Sequence, residues 1–254
     1  MSKNYVELLK QDLIEKAIKL GKKGTLYKSA FIFESIEDNF HPASFNNIIK
    51  HPSWNLRLKK PHPYFEREVL EMQSSNSSDA LLMNIFCHPN IKEWKGIRDL
   101  LDIEESDEII FGWKGVGFEN ETSYITEVDM KIGDCIIEAK LTENSFTEKD
   151  LSIVLGYENI HEVFDIDMLT KENNKVRNYQ LLRNVLAASK HNFSFKVLLD
   201  ERRIDLIREL FDTLAAVKDS NLRSRIGFIT WQEIASYCGK DLKNYLELKY
   251  FTGI

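Results

Sequence analysis

Residues 126–143 read TEVDMKIGDCIIEAKLTE. From 127 to 132 polar and apolar side chains alternate strictly, which is the period of a β-strand. Gly133-Asp134 is typical of a two-residue turn, with glycine in the first position that a type II′ turn prefers. A second strand is predicted at 135–141. The stretch therefore predicts a β-hairpin whose register is fixed by its turn.

That register determines which side chains share a face of the hairpin. It places Asp129 opposite Glu138, and Glu127 opposite Lys140. The reverse face, where Ile132 opposes Cys135 and Met130 opposes Ile137, receives only apolar or small side chains: Val128, Met130, Ile132, Cys135, Ile137 and Ala139. One face is thus predicted to pack on a core, while the other gathers acids and one lysine.

The acidic face is suited to binding a cation. Opposed side chains have Cβ atoms about 5 Å apart, so Asp129 and Glu138 would repel each other, whereas a divalent cation would be chelated by both. The Lys140 ammonium would reach a phosphate oxygen or an attacking water, and phosphodiester hydrolysis needs these groups. The alternative is an exposed hairpin face on which Lys131 and Lys140 neutralise the acids.

The rest of the chain mixes helices with strands, which predicts an α/β or α+β layered domain. Residues 40–66 hold four of the five prolines and are predicted to be irregular. The predicted helices are 4–20, 77–87 (capped by Ser77 or Ser78), 147–164, 175–190, 201–218 (capped by Asp200) and one that opens at 230–233. The further predicted strands are 107–118, 193–199 and 225–229.

Asp129 followed by Glu138-Ala139-Lys140 resembles the D…(D/E)xK signature of the PD-(D/E)XK nucleases, which include restriction endonucleases and resolvases. Their common core is a helix, three strands, a helix and a strand. The predicted elements follow that order if 147–164 is an insertion. The resemblance implies an α/β fold with a restriction-endonuclease-like core, in which helices flank a central mixed sheet. It implies a nuclease-like domain at 71–254 and a helix-and-loop extension at 1–70.

A narrower likeness covers most of residues 70–254. It is to a bacterial family described as restriction endonucleases. The similar blocks are SSNSSDALLMNIF (74–86), EVDMKI (127–132), IIEAKLTE (136–143), YQLLRN (179–184) and TWQEI (230–234).

The resemblance also implies roles for individual residues. Asp129 and Glu138 would bind Mg²⁺, for which Mn²⁺ substitutes, and the Ala139 carbonyl would be a further ligand. Lys140 would position or activate the nucleophilic water. Gln180 matches a glutamine that many members place on the helix after the ExK strand.

The match to the family pattern is incomplete at two places. Some members add a glutamate from the first helix; here Asp79 or, just upstream, Glu71 is available, and neither stands out. The proline of the family name is absent, because Val128 precedes Asp129. That position varies among members.

Each of the secondary candidate residues also has a purely structural explanation. Glu127 lies close to the two carboxylates, and Arg183 shares a helix face with Gln180, although both could belong to solvated surfaces. Residues 50–67 interleave basic groups, including Lys59 and Lys60, with aromatic ones, which suits nucleic-acid contact or a charged loop anchored on the core. Arg202 and Arg203 lie at the predicted start of a helix, where the helix dipole does not favour cations. Either an anionic partner or a salt bridge with Glu201 or Asp205 explains their position.

Composition excludes several classes of protein. A net charge of −6 argues against coating nucleic acid through bulk charge. There is no long apolar run that predicts a membrane span, no secretory signal and no Gly-rich phosphate loop. The three cysteines form no CxxC pair, which indicates free thiols and a cytoplasmic location.

The sequence therefore predicts a Mg²⁺-dependent DNA endonuclease, of a restriction or defence kind, with a homodimer left open. Two alternatives remain. One is a catalytically silent member of the same fold that binds nucleic acid or protein. The other is an RNA-directed nuclease, since this kind of site does not separate RNA from DNA.

Overall fold

The computed structural model describes residues 2–63, 69–118 and 121–251, without the side chains of 2–4, 116–118 and 121–126. The chain divides into two compact units. The terminal unit holds both ends of the chain and comprises Met1–Ser106, Ala139–Thr142 and Thr230–Ile254. The sheet unit comprises Asp107–Glu138 and Glu143–Ile229.

The terminal unit is mostly helical. Its helices are α1 (Ser2–Lys19), α2 (Pro42–Ile48), α3 (Pro52–Arg57), α4 (Ser78–Phe86), α5 (Lys95–Leu101), α11 (Trp231–Tyr237) and α12 (Lys240–Lys249). Its strands β1 (Gly24–Tyr27) and β2 (Ala30–Phe33) form an antiparallel hairpin. Short 3₁₀ turns occur at Glu37–Asn39 and Glu71–Gln73.

Helical periodicity and capping explain two of these helices. In α1 the side chains of Leu9, Leu13 and Ala17 are buried, as their spacing predicts. Every residue of α4 is buried, and its N-terminus is capped by Ser77, whose side chain accepts a hydrogen bond from the Ala80 amide. The predicted helices at 4–20 and 77–87 are confirmed.

The prediction of an irregular segment at 40–66 is wrong. Pro42 and Pro52 each occupy the first turn of a helix, α2 and α3, instead of interrupting regular structure. Proline is tolerated there because the first amides of a helix have no intrahelical partner. Residues 64–66 of the segment lie outside the described part of the chain.

The sheet unit is built on a five-stranded mixed sheet flanked by helices. The strands are β3 (Ile109–Phe118), β4 (Glu121–Ile132), β5 (Cys135–Ala139), β9 (Ser194–Leu199) and β10 (Ile226–Thr230), and their order in the sheet is β10-β9-β5-β4-β3. The helices are α6 (Leu151–Leu155), α7 (Ile160–Val163), α8 (Tyr179–His191), α9 (Ile204–Ala215) and α10 (Ser220–Arg225). A second, three-stranded sheet comprises β6 (Glu148–Asp150), β8 (Lys175–Arg177) and β7 (Lys171–Glu172).

The core of the sheet unit is apolar and continuous. Val128 from β4 and Ile136 from β5 belong to the same buried cluster as Leu181 and Val185 from α8 and Val197 from β9. Helix α8 packs against both β4 and β9. The predicted α/β architecture is confirmed, and the central position of β5 buries the strand that bears Glu138.

The region predicted as one helix at 147–164 is broken, and that prediction is wrong. It contains strand β6 and the two short helices α6 and α7. Helix α6 ends at Gly156, and Asn159, before α7, adopts a left-handed conformation with φ 62°. Neither glycine nor a left-handed residue favours continuation of a helix.

Two helix starts are also corrected. The predicted 175–190 helix begins later, at Tyr179, because Lys175–Arg177 forms strand β8. The helix predicted at 201–218 is capped by Arg203 and not by Asp200. Asp200 is fully buried, and its carboxylate accepts hydrogen bonds from the Arg202 side chain.

The described residues contain no helix that is both long and apolar enough to cross a bilayer. Cys87, Cys135 and Cys238 are buried, and none of them forms a disulfide within the described part of the chain. Burial raises the pKa of the Cys238 thiol to about 12. These thiols therefore pack as small apolar groups.

Candidate active site

The β4–β5 hairpin has the predicted turn and register. Gly133 has φ +51°, while Asp134 keeps an ordinary negative φ, as in a type II′ turn. A Cβ atom on Gly133 would lie 2.5 Å from Asp107 Oδ2, so a larger residue there would require the Asp107 carboxylate to move, in addition to the strain of a positive φ. Ile132 pairs with Cys135, and the ladder continues along both strands.

Asp129 and Glu138 occupy the next positions of the two strands after the Met130–Ile137 pair. Glu138 is only 4% exposed, because β5 is a central strand covered on both faces. Asp129 is half-buried. Glu138 is therefore not part of a solvated hairpin face, and a buried carboxylate is costly unless other groups compensate its charge.

A residue that sequence reasoning missed contacts Glu138. The Asn184 side chain, from α8, donates a hydrogen bond from Nδ2 to Glu138 Oε2 over 2.9 Å. Asn184 is 0% exposed, and its Oδ1 is buried with no hydrogen-bond partner in the described part of the chain. The available signal was an amide on the apolar face of α8, three residues after Leu181 and four before Ala188.

Lys140 follows the last residue of β5 and packs in the terminal unit. It is 5% exposed, and its carbonyl accepts a hydrogen bond from Trp231 Nε1 over 2.8 Å. Trp231 is fully buried at the start of α11, where the Thr230 side chain accepts a hydrogen bond from the Glu233 amide, as predicted for a capping residue. The backbone at Lys140 is therefore held by a fixed indole.

Gln180 and Arg183 both lie in the first half of α8 and are half-buried. Gln180 precedes Asn184 by four residues and so shares its helix face. The Arg183 guanidinium lies over the Tyr179 ring at 5.0 Å, and its Nε is buried without a hydrogen-bond partner among the described residues. The helix thus presents two amides on the face that contacts Glu138.

Glu127 is exposed and pairs across the other edge of β4. It lies opposite Lys114 of β3, with 3.7 Å between Lys114 Nζ and Glu127 Oε2. Strand β5 ends at Ala139, one residue before the Lys140 that the register predicts opposite Glu127. An exposed pair of this kind contributes less than about 1 kcal/mol.

Asp79 in α4 and Glu71 just before it, the two acids considered as additional metal ligands, belong to an ion-pair cluster of the terminal unit. Arg57 Nη2 lies 2.8 Å from Asp79 Oδ1, and Lys60 Nζ lies 2.8 Å from Asp79 Oδ2 and 2.9 Å from Glu71 Oε2. We call Arg57, Lys60, Glu71 and Asp79 the ion-pair cluster. Both charge signs are present within it, so the chain itself balances these acids.

The charges in the ion-pair cluster shift its pKa values. Burial alone would raise the pKa of Asp79, but the Arg57 and Lys60 cations outweigh burial and hold it below its ordinary value. Burial and the Asp79 charge raise the pKa of Glu71. Although burial opposes it, the two carboxylates raise the pKa of Lys60.

The remaining basic candidates differ in their surroundings. Lys59 is exposed. Arg202 makes a two-point ion pair with Asp200, at 2.7 and 2.9 Å. Arg203 is 0% exposed, and its guanidinium donates to both oxygens of Asp205 at 3.0 and 2.9 Å. The structure thus shows the Asp205 salt bridge that was one explanation of these arginines, and their contact with nucleic acid stays a prediction.

The oxygens around β5 suit a hard cation. No group of three or more His, Cys, Asp or Glu side chains that could hold a metal ion occurs among the described residues. Asp129 and Glu138 contribute two carboxylates, and the Ala139 carbonyl, the further ligand that the resemblance implies, is also an oxygen. Mg²⁺ is commonly held by one or two carboxylates with waters completing its shell. Asn184 Oδ1, which has no hydrogen-bond partner among the described residues, would accept a hydrogen bond from a water on such an ion. These residues therefore suit the metal that the resemblance implies.

A comparison with protein families identifies the family of the chain. Residues 11–251 match the family described as restriction endonuclease associating with ARP. The chain belongs to this family. The match covers nearly all of both units, so it supports a nuclease or defence role and nucleic-acid binding for the whole chain. No curated protein and no solved structure matches the chain.

Proposed function

We propose that this member of the restriction endonuclease family is a metal-dependent endonuclease of the PD-(D/E)XK kind that hydrolyses phosphodiester bonds in DNA. The observation that carries the proposal is the position of Glu138. A charged side chain lies 4% exposed on the central strand, with Asp129 at the adjoining position of the neighbouring strand. The register places the two carboxylates at adjoining positions of neighbouring strands, where like charges repel and a divalent cation would be held by both.

Asp129 and Glu138 would hold Mg²⁺ through their carboxylate oxygens, with the Ala139 carbonyl as a third protein ligand. When bound, such an ion polarises a phosphoryl oxygen and lowers the pKa of water. The restricted access to Glu138 keeps bulk water from competing for its oxygens, which strengthens its interaction with a cation.

Lys140 would act on the phosphate or on the attacking water. Its Nζ carries three donors and a positive charge, which suits a non-bridging phosphate oxygen as negative charge builds up. Trp231 fixes the Lys140 carbonyl, so the backbone that carries the ammonium is held in place. Gln180, on the Asn184 face of α8, would orient the water or the scissile phosphate.

Plasmid cleavage with Mg²⁺ tests the proposal. We expect cleavage by the wild-type chain that EDTA abolishes, and a fall of about 10²-fold or more in Asp129→Asn and in Lys140→Met. Asp134→Asn is the matched control, because this exposed acid lies in the turn of the same hairpin and should leave cleavage unchanged. Full activity in both site variants would refute the assignment.

Parallel digestion of DNA and RNA tests the substrate. Preferential cleavage of DNA is expected, and cleavage of RNA alone would support the RNA-directed alternative. Absence of site-specific Mn²⁺ binding in calorimetry, with no cleavage of either polymer, would support a catalytically silent member of the fold. The acids and the lysine are all retained, which favours the catalytic form.

The name of the family adds an association with ARP. We propose that this chain, too, works beside a second protein, either such a partner or a second copy of itself. Light scattering on the purified chain separates these forms. A mass of two chains supports the homodimer, and a mass of one chain leaves the association to the partner.

A further inference from the structure

Asn184 is a buried amide whose orientation is fixed by its neighbour. Its Nδ2 lies 2.9 Å from Glu138 Oε2, and both side chains are buried. An ionised carboxylate only accepts hydrogen bonds, so the amide nitrogen and not the amide oxygen must face it. Asn184 Oδ1 therefore points away from that oxygen of Glu138.

The same Oδ1 is left without a donor. It is buried, and no described residue donates a hydrogen bond to it. An unsatisfied buried acceptor costs about 1–3 kcal/mol, and native proteins usually satisfy such atoms with protein or water donors. Asn184 follows Gln180 by four residues and Leu181 by three, and a leucine in its place would leave no unsatisfied oxygen. The amide therefore needs an explanation beyond packing.

We infer that Asn184 is a positioning residue of the metal site, an inference that rests on the proposed function. Nδ2 holds the Glu138 carboxylate in one orientation. Oδ1 accepts a hydrogen bond from a water in the hydration shell of the divalent cation bound by that carboxylate. Mg²⁺ and Mn²⁺ sites in proteins keep waters of this kind, and groups behind the direct ligands determine how tightly the ion binds.

The test is the dissociation constant for Mn²⁺, measured by calorimetry on the full chain. Asn184→Leu keeps the approximate size of the side chain and removes both hydrogen-bonding groups. We expect its affinity for Mn²⁺ to fall by about tenfold or more. Asn184→Ser is a second variant that puts no bulky apolar group beside Glu138, and it should weaken binding in the same direction. Thermal unfolding of each metal-free variant establishes that it is folded.

Asn178→Ala is the matched control. Asn178 is also a buried asparagine of the sheet unit, but its Nδ2 donates to the Glu209 carbonyl and to Thr213 Oγ1. This variant should lose stability and bind Mn²⁺ like the wild-type chain. Equal weakening in Asn178→Ala and Asn184→Leu would overturn the inference, because the effect would then be general destabilisation.

The remaining outcomes separate this inference from the proposed function. Wild-type affinity in both Asn184 variants, together with loss of binding in Glu138→Ala, overturns the role of Asn184 and leaves the metal site intact. Absence of Mn²⁺ binding by the wild-type chain overturns both.

Discussion

Two buried acids of this protein, Asp79 in the terminal unit and Glu138 in the sheet unit, are held by different kinds of group. Asp79 is surrounded by the Arg57 and Lys60 cations. Glu138 accepts a hydrogen bond from the neutral Asn184 amide and has Asp129 at the adjoining position. The chain itself supplies the cations of the ion-pair cluster, whereas under the proposed function the Asp129 and Glu138 carboxylates would take a cation from solution. The proposed difference between the two acids lies in the cation that each one serves and not in burial, which both share.

The largest expected effect is in the ion-pair cluster. Asp79→Asn leaves the Arg57 guanidinium, 10% exposed, without its carboxylate, and we expect a loss of about 3 kcal/mol in the free energy of unfolding. Urea denaturation at pH 7 measures it. Lys114→Met breaks the exposed pair with Glu127 and should cost less than about 1 kcal/mol. A cost for Asp79→Asn as small as that of the control would remove the contrast between the two acids.

A smaller effect is expected from two glycines with positive φ, one in each unit. Gly133→Ala combines φ +51° with a Cβ 2.5 Å from Asp107 Oδ2, while Gly21→Ala has φ +66° and open space. Left-handed strain costs about 1–2 kcal/mol at either position. We expect Gly133→Ala to exceed Gly21→Ala in thermal unfolding, because close contact is added to strain. Equal losses would show that Asp107 moves aside.

The next largest effect is expected from the pH dependence of stability, through His88 in the terminal unit. Burial and the nearby His41 ring lower the pKa of His88 from 6.5 to about 4, although Asp241 opposes this. Between these values the unfolded chain binds the proton more readily, so stability is lost as pH falls from 6.5 towards 4. The full shift corresponds to about 2 kcal/mol at pH 5, and solvent screening of this partly accessible ring reduces the expected loss to about 1 kcal/mol.

His88→Asn provides the comparison for that titration. It retains an acceptor for the Asn90 amide, which donates to His88 Nδ1 over 3.2 Å, but it cannot be protonated in this range. Its free energy of unfolding should decline less steeply between pH 7 and pH 4 than that of the wild-type chain. Parallel curves for the two proteins would contradict the shifted pKa.

Glu138→Gln is expected to have the smallest effect on stability, although it should abolish metal binding. Glu138→Gln keeps an oxygen that accepts from Asn184 Nδ2 and removes the repulsion from Asp129. In metal-free buffer the free energy of unfolding should change by less than about 1 kcal/mol, as is common when functional charges are removed. Mn²⁺ should then no longer raise the melting temperature. A loss as large as that of Asp79→Asn would make Glu138 a structural acid.

Local chemistry predicted much of this fold. Gly133 and the alternation around it predicted the hairpin and its register, and Ser77 and Thr230 predicted two helix starts. Prolines misled the prediction at Pro42 and Pro52, because the same residue that breaks a helix interior also opens a helix. The sequence pattern alone does not distinguish these positions.

The candidate site was predictable only along its strands. Asp129 and Glu138 are related by a two-residue turn, so their proximity follows from local geometry. Asn184 lies 46 residues from Glu138, and their contact depends on how α8 packs against the sheet. Arg203 illustrates the same limit. The sequence offered a salt bridge with Asp205 as one explanation, but the complete burial of Arg203 depends on tertiary packing.

The hydrogen bond between Trp231 and the Lys140 carbonyl makes the fluorescence of this tryptophan a probe of the candidate site. The indole is fully enclosed, and its N–H is bonded to the backbone of the segment that leaves β5. Emission from this side chain therefore responds to small displacements of that peptide group. Binding of an ion or a DNA duplex next to Lys140 would be read as a change in intensity or wavelength, without any attached dye.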